Sequence, residues 1–492
     1  MGFPDPQLGR RAFIGGLAGV PLLASRAAWA VPSAPSAWRS DLLLLREALE
    51  ALHPGLYRYR TAGQLAADFE ALDQSWARAS NLSQAYLSLS RFLAGLRCGH
   101  SYANFFNQKR AITDQLFAPL PRLPFAFRWL GDDMVVTRNF SPDARLTPGT
   151  RVLSINGQSA PQILTQLLPY ARADGSNDAK RRALLEMRAE EEWDYFDIFF
   201  GLLQAEAKSF HIKAALPSGQ MAHVDLPSLT LAERRAGRRQ VQAQPNWAAP
   251  DIPWTLERRG KTALLTMPGW AVYNSKADWQ GWIHARLDEI ASDGTEALVI
   301  DLRGNEGGLD CGHEVIAHLI DRPISARLYD RRVRYRDTPK HLIPYLDTWD
   351  RSFDHLGAEA PDIGNGFYQL PLNGDDQILP KGRRFTGQVA VLTEPMNSSA
   401  TFNFALLMRT YGLGQLVGGA TGGNQRGING GAFYFLRLPA SGLEVDVPLI
   451  GYFPQTPRPD AGVTPDIAIM PTARDIAKGR DPVLERALQA VG

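Results

Sequence analysis

The sequence predicts a multidomain α/β protein, and three observations predict it. The chain has 492 residues, which suggests roughly three domains of ordinary size. Its patterning changes twice: helical periodicity over 38–105, alternating strands from about 120, then short buried strands separated by helices from 262 onward. Its composition, 45% hydrophobic and 21% charged, is that of a chain with a packed core. The expected boundaries are 1–30 for a targeting segment, 31–115 for a helical unit, 116–245 for a β domain with a helical insertion, and 246–492 for an α/β core.

Lys and Arg number 53 against 51 Asp and Glu, so no basic excess points to nucleic acid. Two cysteines, Cys98 and Cys311, are too few for a disulfide scaffold or a Cys-rich zinc site. His313 and His318, five apart, lie well around a helix from each other, and no His-Glu-x-x-His pattern occurs. No metal or organic cofactor is expected.

The N-terminus reads as a twin-arginine export signal. Arg10-Arg11-Ala12-Phe13-Ile14 opens it, an apolar run of 12 residues (13–24) is too short to span a bilayer, and Ala28-Trp29-Ala30 fits a cleavage site. Removing Asp5, Arg10, Arg11 and Arg26 with residues 1–30 leaves acids and bases equal in number. The expected location is periplasmic or extracellular.

Residues 31–37 are a Pro/Ser/Ala linker. Leu42, Leu45, Leu49 and Leu52 then mark a helix stopped by His53-Pro54-Gly55. A second helix covers 62–79, and Asn81 can cap a third, which ends at Arg97-Cys98-Gly99-His100. Strands follow at 124–130 and 134–137. Leu146-Thr147-Pro148-Gly149-Thr150-Arg151-Val152-Leu153-Ser154-Ile155-Asn156-Gly157 resembles the corresponding segment of PDZ domains, which bind an extended peptide as an added strand. A helical insertion (178–207), strands at 210–215 and 221–226, and a charged linker at 232–250 complete this part. In the last part strands are expected at 262–267, 298–302, 389–392 and 416–419, with helices at 279–292, after the 308 turn, and at 402–410.

Two stretches carry chemistry. The run Val299-Ile300-Asp301-Leu302-Arg303-Gly304-Asn305-Glu306-Gly307-Gly308 is strand, glycine loop, helix, and such a loop aims backbone N–H groups at a negative oxygen. Alone it also fits an ordinary turn. Ser399, in Asn397-Ser398-Ser399-Ala400-Thr401, sits where a buried strand turns into a helix. It fits a plain N-cap, or a nucleophile whose next N–H, that of Ala400, faces an oxyanion.

Asp-Leu-Arg-Gly-Asn-x-Gly-Gly, then Ser-Ser-Ala-Thr, then Gly418-Gly419-Ala420-Thr421-Gly422-Gly423 resembles the core of the C-terminal-processing (tail-specific) protease family, which includes the tricorn protease. The resemblance spans about 40–470 and keeps the order of parts: helical unit, PDZ-like domain, α/β core of the crotonase-like ββα type. It implies a serine peptidase with Ser399 as nucleophile and Ser398 as the lesser choice. One branch activates its serine with a lysine in a Thr-x-Gly-Lys turn; here that turn is Thr421-Gly422-Gly423-Asn424, and no lysine lies between Lys381 and Lys478. The tricorn-like branch uses a histidine from the helical unit, and Cys98-Gly99-His100-Ser101 matches its turn. The resemblance makes His100 the base, suited to a serine at neutral pH. For the orienting acid it points to Asp460, just before Gly462-Val463-Thr464-Pro465-Asp466, with Glu444 and Asp446 as rivals. If His100 meets Ser399 beside the glycine loop, Cys98 and Cys311 share a neighbourhood and could form a disulfide.

The expected function is an exported peptidase. Ser399 attacks, His100 takes its proton, and N–H groups of Ala400 and of Gly307 or Gly308 hold the oxyanion. A peptide or protein substrate is presented by the PDZ-like domain, with recognition of its C-terminus as one form this could take. The rivals are a non-catalytic binder of peptide or lipid on the same fold, because the family's Ser-Ala-x-Glu continuation is here Ser399-Ala400-Thr401-Phe402, and an esterase or aminoacylase.

Overall fold

The structure is a computed structural model that describes residues 38–188, 193–239, 252–273, 275–372 and 376–492. The export signal expected at 1–30 lies outside the described residues. Among them no helix is long and apolar enough to cross a membrane.

Three helices open the described chain. Arg39–Leu52 buries Leu42, Leu45, Leu49 and Leu52 along one stripe, the spacing that brings successive turns to one face. Ala62–Arg78 starts at a capping box between Thr61 and Gln64. Leu82–Gly95 starts where the Asn81 side chain accepts from the Gln84 N–H.

The middle sheet is antiparallel, in the order Phe125–Leu130, Asp133–Asn139, Arg151–Ile155, Ser209–Ala215, Met221–Pro227. Asn156 and Gly157, at φ 51° and 80°, turn Arg151–Ile155 back onto Gln158–Ser159, the left-handed geometry that Asn-Gly supplies. The insertion forms two helices, Asp178–Leu184 and Tyr195–Leu203. Between them Met187 pairs with Phe127 through both backbone hydrogen bonds (2.9 and 3.2 Å), so the outer edge of Phe125–Leu130 is already occupied there.

The linker expected at 232–250 needs correction. Leu231–Arg239 is a helix, and Arg234 is buried, donating to the Leu123 carbonyl and the Asp197 carboxylate. Its charge-rich composition reads as solvated chain, but one arginine finds partners far away in sequence, at Leu123 and Asp197. Residues 240–250 lie outside the described residues.

The last part holds a six-stranded sheet ordered Ile467–Ala468, Gln415–Gly418, Gln388–Thr393, Ala297–Asp301, Thr262–Thr266, Thr255–Arg259. All neighbours are parallel except the final pair. Helices Trp279–Ile290, Cys311–Ala317 and Ala400–Tyr411 cover one face, and Pro482–Val491 covers the other through Val483, Ala487 and Val491. Burial on both faces explains the unbroken apolar runs at 298–300 and 389–392. Because Ala297–Asp301 and Gln388–Thr393 are parallel neighbours, the loops leaving their C-terminal ends emerge side by side.

A five-stranded sheet not expected from the sequence has the order Leu346–Asp347, Asn429–Arg437, Glu444–Phe453, Asp330–Val333, Tyr368–Gln369. It docks the N-terminal helices onto the core: Tyr102 bridges Asp446, and Asn104 and Asn107 donate to the Asp446 carboxylate at 2.8 and 2.9 Å.

Candidate active site

The glycine loop leaves the strand Ala297–Asp301 and is held at every step. Arg303 donates to Asp301 (2.6 Å) and to Asp481 (2.8 Å), tying the loop's start to the C-terminal helix rather than to any reacting group. The Gly304 N–H donates to Glu394 (2.7 Å). Asn305, fully buried, donates to the Met267 carbonyl and accepts from the Gly307 N–H, each at 2.9 Å.

Gly307 and Gly308 adopt φ of 104° and 139°, a region that excludes ordinary side chains. A Cβ on Gly307 would sit 2.9 Å from the Ala400 nitrogen and 3.0 Å from the Ser399 Cβ. A Cβ on Gly308 would sit 2.2 Å from the Trp270 carbonyl oxygen. Gly308 is bridged to Trp270 by its neighbours' groups: Trp270 N–H to Gly307 O, and Leu309 N–H to Trp270 O. Its own N–H is outside that pairing. Of the two glycines expected to supply a donor, Gly307 therefore spends its N–H on Asn305, and Gly308 keeps its own.

The serine turn is fastened to this loop. Asn397 accepts from the Glu394 N–H (2.7 Å) and donates to the carbonyls of Leu302 (2.5 Å) and Asn305 (3.1 Å). Ser398 Oγ donates to the Glu306 carbonyl (3.3 Å), and Thr401 Oγ1 to the Asn305 carbonyl (3.0 Å). Ser399 differs from both neighbours. It stands at φ 53°, ψ −123°, and its hydroxyl makes no capping hydrogen bond. Thr61, Asn81 and Ser159 at the corresponding position of other helices all cap. A non-glycine residue in such backbone geometry costs about 1–3 kcal/mol, and a plain N-cap serine adopts extended φ and ψ instead.

His100 lies past the end of Leu82–Gly95. Its ring packs 5.8 Å from Phe433, and Gly430 lies so close that a Cβ there would touch three ring atoms at 3.8–4.0 Å. Nδ1 is buried with no hydrogen-bond partner among the described residues. Burial pushes the imidazole pKa down; Asp174 and then Glu306 push it up, while Arg172 and Lys180 reinforce the fall. The next residue, Ser101, is bonded to His53 Nε2 (2.8 Å), whose Nδ1 accepts from the Gly55 N–H (3.1 Å). His53 thus braces the turn.

The remaining expected residues are placed elsewhere. Asp460 accepts from Ser176 N (3.0 Å), Ser176 Oγ (2.9 Å) and Asn424 Nδ2 (2.6 Å), so its oxygens serve a loop junction and not the imidazole. Asp446 is bound by Asn104 and Asn107, and burial pushes its pKa up to about 7. Glu444 is buried on the same strand, its backbone paired with Gln108. Cys98 and Cys311 are both free, which corrects the expected disulfide. Cys98 Sγ accepts from Asn429 Nδ2 (3.4 Å) beside His100, whereas Cys311 starts a helix packed inside the core sheet's apolar layer. Reducing agent is expected to leave the melting temperature unchanged, and both thiols should react with a maleimide only after unfolding; a shift on reduction would restore the disulfide.

Several contributors were missed in the sequence because they come from the 172–188 stretch. Lys180 Nζ donates to Glu306 (2.5 Å) and to the Met396 carbonyl (3.0 Å), and Arg172 reaches Glu306 at 3.2 Å. A buried lysine does therefore reach the serine turn, but from the middle of the chain and paired with a carboxylate. Arg188 from the same stretch reaches Glu394 at 2.7 Å, and Arg128 from the strand Phe125–Leu130 reaches it at 3.0 Å.

Residues 261–469 match the profile of peptidase family S41. This part of the chain is similar to the core of S41 peptidases. The S41 match contains the glycine loop and Ser399, while His100, Asp174 and Lys180 lie before it. The enzyme class that goes with the family is a serine-type peptidase, as the sequence led one to expect. Among solved structures, mature CPAF complexed with lactacystin is 16% identical, with 93% of this chain and 97% of that chain covered and a TM-score of 0.65. Mature CPAF alone gives 16%, 90% and 94%, and 0.62. These likenesses concern the fold. The photosystem II D1 C-terminal processing protease is 15% identical over 94% and 98%, with a TM-score of 0.39. No curated protein sequence matches the chain.

Proposed function

We propose that the protein is an exported serine peptidase in which Ser399 attacks the peptide carbonyl. The observation that carries this is Ser399 itself: a strained, non-capping serine pressed against Gly307 and followed by Ala400, whose N–H has no acceptor among the described residues. The Oγ–carbonyl bond forms as the hydroxyl proton passes to His100. With Nδ1 buried, Nε2 is the nitrogen left for that proton. The oxyanion is held by the N–H groups of Ala400 and Gly308. Collapse of the adduct returns the proton to the leaving amine, and water then releases the acyl group.

Asn397, Thr401 and Glu394 take no part in bond making. They lock the serine turn to the glycine loop, so the two N–H donors need little reorganisation as charge develops. The middle sheet carries the Asn156-Gly157 turn on which the PDZ-like reading rests. With Met187 paired to Phe127, a substrate strand would add along Met221–Pro227 or displace the 185–188 segment.

A serine-reactive phosphonate is expected to label Ser399 and no other serine, as read by peptide mapping. His100→Ala should slow that labelling by about 10²-fold or more. Labelling that survives Ser399→Ala would remove Ser399 from the scheme and leave a non-catalytic binder on this fold. Comparison of peptide and ester substrates separates a peptidase from an esterase.

A further inference from the structure

The 172–176 segment grips the turn that carries His100. The Gly175 N–H donates to the Arg97 carbonyl (2.9 Å), Arg172 Nη1 donates to the Gly99 carbonyl, and the Gly99 N–H donates to Asp174 Oδ1 (2.8 Å). Asp174 is 2% exposed. Its carboxylate lies flat against Gly99: a Cβ there would be 2.6 Å from Oδ2 and 3.0 Å from Cγ. Glycine at position 99 is what lets a carboxylate come this close to the residue before the imidazole.

Two carboxylates act on His100, and their surroundings differ. Glu306, from the glycine loop, is spanned by Lys180 and Arg172, so two cations offset its charge. Asp174 forms no ion pair among the described residues. Its negative charge acts on the imidazole and also on Arg58, Tyr59 and Cys98 around it. Asp460, three hydrogen bonds deep in the Ser176–Asn424 junction, supports the segment that delivers Asp174.

We infer that Asp174 is the positioning residue for His100, holding its turn through Gly99 and stabilising the imidazolium formed when His100 takes the serine proton. This rests on the Ser399/His100 reading. The groups facing His100 are Asp174 and Arg172 from one segment, Lys180 from the helix after it, Glu306 from the glycine loop, and Phe433 with Gly430 from the second sheet. Of the two that favour the charged ring, Glu306 is in direct ion pairs with two cations, whereas Asp174 has Arg58 nearby without a direct ion pair among the described residues. Removing its charge makes the ring harder to protonate.

The test is Asp174→Asn, which keeps an acceptor for the Gly99 N–H and removes the charge. Expected are a kcat lower by roughly tenfold or more, a nearly unchanged KM, and an acid limb of kcat/KM moved to lower pH by on the order of one unit. Asp174→Glu, which restores the charge, should move the limb back toward the wild type. Asp460→Asn should leave the limb in place. Thermal melts check folding, and Asp174→Ser carries the same expectation if Asp174→Asn fails to fold. A limb and kcat identical to the wild type in the folded, uncharged variant would overturn the inference. If Ser399→Ala and His100→Ala are inactive in that same assay, the peptidase reading stands without Asp174; if Ser399→Ala is active, that reading itself has failed.

Discussion

Ser399→Ala is expected to lower kcat/KM by about 10⁴-fold or more while the protein stays folded. The hydroxyl makes no capping bond, so its loss should not weaken the helix Ala400–Tyr411. The backbone at φ 53°, ψ −123° is as strained for alanine as for serine. Ser399→Gly should therefore be equally inactive and melt higher than Ser399→Ala. Relief of about 1–3 kcal/mol of strain exceeds the roughly 0.5–1 kcal/mol of extra chain entropy that glycine loses. The two variants separate function from stability at one atom position. Hydrolysis retained by either would dismiss Ser399 as nucleophile. A lower melting temperature for the glycine variant would mean that the backbone here is relaxed and the elbow is not a strained device.

The parts of the fold that were readable are those in which one local signal sufficed. The run at 298–300 reads as a buried strand because both sheet faces are covered, and the glycines at 304, 307 and 308 mark the loop because no other residue fits their φ values. The second sheet was not readable. In Glu444–Phe453 the order Glu444-Val445-Asp446-Val447 looks like a strand with one wet face. Yet Glu444 and Asp446 are buried: Asn104 and Asn107, from the loop after the third helix, satisfy the Asp446 carboxylate, and Gln108 from the same loop pairs with the Glu444 backbone. That partnership is visible only after docking. Asp174 and Lys180 escaped notice for the same reason: nothing in Arg172-Ala173-Asp174-Gly175-Ser176 announces that this loop will meet residue 99. Asp460 showed the opposite error. A position in a family pattern suggested an acid, but its oxygens were already claimed by Ser176 and Asn424.

Glu394 joins three parts of the chain, and its removal should cost more stability than any other single change at the site. Its carboxylate is buried and accepts from Arg188 (2.7 Å), Arg128 (3.0 Å) and the Gly304 N–H (2.7 Å). Glu186 pairs with the same two arginines, so two buried anions balance two cations. Glu394→Gln leaves one positive charge without its counterpart and is expected to destabilise by about 3–5 kcal/mol. It also deprives Gly304 of a charged acceptor, which should loosen the loop bearing Gly308 and lower kcat more than it alters KM. Burial alone would raise the pKa of this carboxyl, but Arg188, Arg128 and the Gly304 N–H together hold it well below the usual carboxylate range. A depressed folded-state pKa gives stability that is fully present above the unfolded value of about 4.3 and is lost as pH falls from there toward the folded pKa. The wild type should therefore lose stability steeply below about pH 5, while Glu394→Gln, lacking that proton uptake, should follow a shallower slope. Denaturant titrations of both proteins at pH 7 and pH 4 measure the difference. Parallel slopes would show that Glu394 is not the ionised centre of this junction, and an unchanged kcat in the variant would separate the ion network from the geometry of the oxyanion donors.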